Sequence, residues 1–170
     1  MRLTTAVPSV PSVLFLDRNA EEDSDSLLYV FPRNPADVEQ GNKLKGLMLA
    51  LRGLLDALAG QMVTHAVLHQ LDSEAGGHIK GVFVHFKGTL VVVMLPAHLS
   101  DFIAEHVSAH VINMAIFLQG NPDDWMERLV SSDSKQQREL DSIFDAAFGQ
   151  IFGGEWRTMQ YLTTLPMVVS

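Results

Sequence analysis

TLVVVML, Thr89–Leu95, is apolar at every position after its opening threonine. A strand with one wet face alternates apolar and polar residues, whereas an uninterrupted run suits the middle of a sheet covered on both faces. That reading requires helices on two sides and so decides the number of layers. Just upstream, Ile79–Phe86 reads as a strand with Ile79, Gly81, Phe83 and His85 on one face and Lys80, Val82, Val84 and Phe86 on the other. Lys87-Gly88 is the tight turn between the two runs. Met62–Gln70 reads as a further strand, with Val63, Val67, His65 and His69 sharing a face, and Asp72–Gly77 as its exit loop. Together the three form an antiparallel meander, which Pro96 ends.

Toward the N-terminus, Val13–Asp17 and Leu27–Phe31 are two more short apolar runs, separated by the acidic, turn-forming Arg18–Asp25 and closed by Pro32 and Pro35. A hairpin with a solvated acidic connection follows from that pattern.

Between hairpin and meander lies NKLKGLMLALRGLLDALAG, Asn42–Gly60, which reads as a long helix over Lys43–Gly60, capped by Asp37 or Asn42 and stopped by Gly60. Leu44, Leu47, Met48, Leu51, Leu54, Leu55 and Leu58 recur at spacings of three and four and form one apolar stripe. Gly46, Ala50, Gly53 and Ala57 form a second stripe of small residues. Each helical glycine costs roughly 0.5–1 kcal/mol relative to alanine, so a closely approaching backbone should offset it. That backbone is either the chain's own sheet or a partner. The four small residues are therefore a candidate partner interface.

Downstream, a helix over about Leu99–Leu118 carries Leu99, Phe102, Ile103, Val107, Val111, Met114, Phe117 and Leu118 as its expected buried stripe. Gly120-Asn121-Pro122 stops it and opens a short helix with Trp125, Met126, Leu129 and Val130. Ser134 and Gln137 fit a capping box for a last helix over about Lys135–Phe152, expected to bury Leu140, Ile143, Phe144, Ala147, Phe148 and Ile151. Gly153-Gly154 ends it. The expected architecture is an α/β three-layer sandwich: a five-stranded antiparallel sheet, the long helix on one face and two to three helices on the other. Residues 1–12 are read as an extended lead-in and 13–152 as the domain. Residues 153–170, with Trp156, Tyr161, Leu162 and Leu165, are an apolar tail that packs back or, as the preferred reading, a linker toward a further domain.

The 170 residues suffice for one domain with a substantial core, at 47% hydrophobic and 19% charged residues. A net charge of −8 argues against nucleic acid, which requires a basic surface, and against direct attraction to anionic lipid. The absence of cysteine excludes disulfides, thiolate metal sites and a cysteine nucleophile. Pro8 and Pro11 interrupt the N-terminal apolar residues, arguing against a signal peptide, and no apolar run reaches the roughly 18 residues of a membrane span. A cytoplasmic location is expected.

Candidate chemistry is sparse. His106 and His110 are four apart on a helix, but Val107 occupies the position where a zinc protease has glutamate, so both are read as helix-packing histidines. His65, His69, His78 and His85 lie on two neighbouring strands, where cross-strand residues approach to roughly 5 Å, so a small-ligand or metal site on the sheet is the alternative functional reading. Asp123, Asp124, Asp133 and Asp141 are read as carboxylates favoured by helix N-termini. Ser131–Ser134 lacks a nucleophile-elbow context, and neither glycine pair has phosphate-loop spacing. The expectation is no metal, no cofactor and no catalysis.

Several segments resemble the first longin domain of the inturned family of planar-cell-polarity effectors, whose element order is also the one derived above. They are VPSVLFLD at Val10–Asp17, LLYVFP at Leu27–Pro32, KLKG at Lys43–Gly46 leading to LLDALAG at Leu54–Gly60, MLPAHL at Met94–Leu99, RELDSIFDAAFGQIF at Arg138–Phe152, and YLTTLP at Tyr161–Pro166. Coverage is roughly residues 10–166, through short and largely structural motifs. Inturned proteins are longer, with a PDZ domain and further longin domains. The resemblance implies a protein-interaction domain that pairs with a fuzzy-like longin protein and acts on a small Rab-type GTPase in planar polarity and ciliogenesis. It further implies contact with phosphoinositide-bearing membrane through the whole complex, at the cell cortex or the base of cilia. A longin subunit of another vesicle-trafficking complex is the alternative within the same fold.

Overall fold

The computed structural model of the chain describes residues 11–19, 27–32, 65–69, 78–130 and 134–153. The expected helix at Lys43–Gly60, with Gly46, Ala50, Gly53 and Ala57, lies outside these, as do residues 1–10 of the lead-in, 20–25 of the acidic loop and 154–170 of the tail, while Ser12 of the expected lead-in opens the first strand. The described elements are strands β1 (Ser12–Asp17), β2 (Leu27–Phe31), β3 (His65–His69), β4 (His78–His85) and β5 (Thr89–Pro96), then helices α1 (Asp101–Gln119), α2 (Pro122–Val130) and α3 (Ser134–Phe152). The class is α/β, with one antiparallel sheet in the order β2-β1-β5-β4-β3.

The run that decided the layers sits at the centre of that sheet, and every residue of β5 is buried. Its alternate side chains enter two separate cores. Val91, Val93 and Leu95 join Val13, Phe15, Phe31 and Val82 beneath the helices. Leu90, Val92 and Met94 join Leu14, Leu16, Val30, Ile79 and Phe83 on the opposite face. At roughly 1.5–3 kcal/mol for each fully buried large aliphatic side chain, both faces contribute to holding the sheet.

Register explains how the hairpin serves both cores. Val13 pairs with Phe31, Leu14 with Val30 and Phe15 with Tyr29, but Leu16 pairs with Leu27, so Leu28 is an extra residue on β2. Regular pairing keeps Tyr29 and Phe31 on the helix side, where their rings lie 5.9 and 5.7 Å from that of Phe144, and the bulge turns Leu27 to the far face with Leu16.

Helix boundaries follow local chemistry. The Ser100 side chain accepts the Ile103 amide at the start of α1, and Gly120 ends the helix at φ +90, donating to the Ile116 carbonyl at 2.8 Å. Pro122 then opens α2 at the position where a missing amide hydrogen costs nothing, and the Asn121 side chain accepts the Asp123 amide at 2.9 Å. Gly153, at φ +89, closes α3.

The face of α1 differs from the expected one. Ala104, Val107, Ser108, Val111, Ile112 and Ala115 are buried, while Phe102, Ile103, Phe117 and Leu118 are 67%, 47%, 88% and 53% exposed. The actual buried arc is rotated by about one residue, roughly 100°, from the stripe of large apolar residues. Apolar residues cover most of the circumference of α1, so period alone does not select a face. Small side chains at 104, 108 and 115 select it by letting α1 lie close to α3 and β4.

Candidate functional site

Polar side chains lock the helices to the sheet at three places, each joining residues distant in sequence. Lys80, 5% exposed on β4, donates to the Leu99 carbonyl and to Asp101 Oδ1, both at 2.6 Å, fixing the start of α1. The Tyr29 hydroxyl donates to Asp141 Oδ1 at 2.7 Å, joining β2 to the second turn of α3. Asp141 is thus a hydrogen-bond acceptor within α3 rather than a carboxylate at its N-terminus; Asp133 lies outside the described residues. Asp123 does lie in the first turn of α2, and its two oxygens also accept the Lys87 and Gly88 amides at 3.2 and 2.8 Å.

A fourth junction is an amide network between the helices. Trp125 Nε1 donates to the Gln119 carbonyl at 2.8 Å, the Gln119 side chain donates to Glu139 at 3.3 Å, and buried Gln136 donates to Gln119 Oε1 at 3.0 Å. All four junctions serve packing. Sequence reading missed their pairings because no short motif links partners 35 or 112 positions apart.

The sheet histidines do not converge. His69 is directly opposite His78, but His65 is opposite Val82 and His85 is opposite Leu90 of β5. Strand alternation sets position 85 on the opposite face of β4 from position 78, so the four positions of the alternative reading do not share a face. Among the described residues, no group of three or more histidine, cysteine, aspartate or glutamate side chains could hold a metal ion.

His106 and His110 are both exposed, which corrects their reading as packing residues. The same rotation of α1 that turns Phe102 and Phe117 to solvent carries them outward. The His106 ring lies 4.2 Å from that of Phe102, and its Nδ1 is 3.1 Å from the Phe102 carbonyl.

What remains is surface relief. A groove of about 530 Å³ runs between β4 and α1, lined by Val82, Val84, Phe86, Ile112 and Ile116, with Glu105 and Asn113 also along it. Ser108 reaches this groove with a buried hydroxyl that has no hydrogen-bond partner among the described residues. A second groove of about 430 Å³ separates Leu118 and Gln119 from Lys135, Arg138 and Ser142 of α3.

No known family model matches this chain, and no curated protein matches it. No helix among the described residues is long and apolar enough to cross a membrane.

Proposed function

We propose that this chain is a non-catalytic interaction domain of the longin kind, the inturned-like member of a pair with a fuzzy-like longin protein, in a complex acting on a small Rab-type GTPase. The observation that carries the architectural part is the burial of Leu90, Val92 and Met94 on the sheet face turned away from α1, α2 and α3. A three-layer domain needs a cover there, and we assign it to the segment between β2 and β3. β2 and β3 are at opposite ends of the sheet, so the chain between them has to travel its full width. Four interstrand steps amount to roughly 19 Å, and a helix over Lys43–Gly60 spans about 27 Å. Its leucine stripe would meet Leu90 and Val92, leaving one further face for a partner.

Gly46, Ala50, Gly53 and Ala57 are the residues we assign to that partner face. The segments similar to inturned proteins support the partner's identity, the cytoplasmic setting at the cell cortex or ciliary base, and contact with phosphoinositide-bearing membrane through the assembled complex. Co-expression with a fuzzy-like longin protein should yield a one-to-one complex on gel filtration; two independent peaks would count against the pairing. Gly53→Leu should weaken that complex with the far-UV spectrum and melting temperature nearly unchanged. A mutant that unfolds instead assigns the small stripe to internal packing. Should the fuzzy-like protein fail while another trafficking longin protein co-purifies, the alternative subunit reading takes its place.

A further inference from the structure

The outermost face of α1 reads almost the same in both directions. Phe102, His106, Ala109, His110, Asn113 and Phe117 occupy a single arc of roughly 100°, diametrically opposite the buried arc, and all six are exposed. Ala109 and His110 form the midpoint, with a polar residue at 106 and 113 and a phenylalanine at 102 and 117 on either side. The two rings, 67% and 88% exposed, are among the four most exposed large apolar side chains described. Two such rings on one helix face, with Ile103 and Leu118 also exposed beside them, are the described surface most in need of cover.

We propose that this face is a self-association surface: α1 docks antiparallel on α1 of a second copy, about a two-fold axis passing between Ala109 and His110. Two features favour a second copy over an unrelated partner. First, a two-fold axis needs a self-complementary patch, and here antiparallel pairing sets Phe102 against the partner's Phe117 and His106 against the partner's Asn113, twice over. Second, the spacing of 102, 106, 109, 113 and 117 alternates near the four-and-three rhythm of paired helices, and Ala109 at the crossing permits close approach.

Size sets the expected strength. Each phenylalanine exposes on the order of 150 Å², and with the side chains between them the stripe buries roughly 500 Å² per copy. The total of about 1,000 Å² is at the lower end of specific interfaces, which points to a dimer of micromolar dissociation constant. The surface uses none of Gly46, Ala50, Gly53 or Ala57, so it stands or falls separately from the pairing proposed above.

The test uses the full 170-residue chain. Sedimentation equilibrium should show a concentration-dependent dimer. Phe102→Asp and Phe117→Asp should each raise the dissociation constant at least about tenfold while leaving far-UV circular dichroism unchanged. Because the chain has no cysteine, Ala109→Cys supplies a unique thiol beside the two-fold axis. It should form a disulfide-linked dimer on mild oxidation, and Glu127→Cys on α2 should not. A chain that remains monomeric at about 100 µM, or a dimer indifferent to both aspartates, overturns the proposal. So does a chain that dimerises only after residues 154–170 are removed, since its own tail would then be the occupant.

Discussion

Lys80 and Asp101 meet at 2.6 Å across the boundary between sheet and first helix, one side chain 6% exposed and the other 59%. This asymmetry makes the pair unequal in its consequences. Asp101→Ala leaves a buried ammonium with the Leu99 carbonyl alone, and water entering from the exposed side only partly compensates. The expected loss is about 1–2 kcal/mol, discounted for that exposure and including the first-turn effect of the carboxylate. Lys80→Met removes the charge that needs a partner and should cost less, about 0–1 kcal/mol. Urea unfolding of both variants decides the matter: a methionine variant less stable than the alanine one contradicts this account.

Phe144 is the hub of the helix-side core, with the rings of Phe15, Tyr29 and Phe31 at 6.0, 5.9 and 5.7 Å. Phe144→Ala should therefore cost about 3–5 kcal/mol, enough to unfold a marginal domain. Tyr29→Phe keeps the ring contacts and deletes only the hydrogen bond to Asp141, so it should cost about 1–2 kcal/mol. Thermal melts of the two variants should differ accordingly. Equal losses would mean that the hydroxyl, not the ring, anchors β2.

The sequence declares β5 because an unbroken apolar run of strand length has one comfortable place, the middle of a sheet. It declares the ends of α1 and α3 because Gly120 and Gly153 adopt a backbone conformation that other residues resist. It does not declare which way α1 faces, since Phe102, Val107, Phe117 and Ile112 together leave apolar residues on most sides. Small residues at 104, 108 and 115 decided the rotation, and their signal is the absence of bulk. The histidines failed as a site for a related reason. Composition puts four on two adjacent strands, but alternation sends His85 to the other face, and only the register of β3 on β4 shows how the others fall.

Trp125, 1% exposed, combines a ring tilted against that of Phe15, 5.6 Å away, with an indole N–H bonded to the Gln119 carbonyl at 2.8 Å. Trp125→Phe should lose that hydrogen bond and leave a small void, for about 2–3 kcal/mol. Gln136→Leu should instead remove the bond to Gln119 Oε1 and the acceptor of Arg128 while Gln119 keeps its bond to Glu139, at about 1 kcal/mol. Denaturant midpoints in that order support a junction held mainly by the tryptophan.

Asp123 performs two tasks at once, and they can be separated experimentally. Its charge lies in the first turn of α2, where a carboxylate contributes about 0.3–1 kcal/mol. Its oxygens also accept the Lys87 and Gly88 amides at the tip of the β4–β5 hairpin. Asp123→Asn keeps one acceptor oxygen and removes the charge, whereas Asp123→Ala removes both functions. Amide hydrogen exchange at Lys87 and Gly88 should therefore accelerate strongly in the alanine variant and modestly in the asparagine one. The Phe86 amide bonds to the Thr89 carbonyl at 2.9 Å inside the hairpin itself, so its exchange should hardly change in either. If Phe86 accelerates along with the tip, the carboxylate is holding the whole hairpin rather than its turn. If neither tip amide responds, the contact is incidental and α2 is held by Trp125 alone.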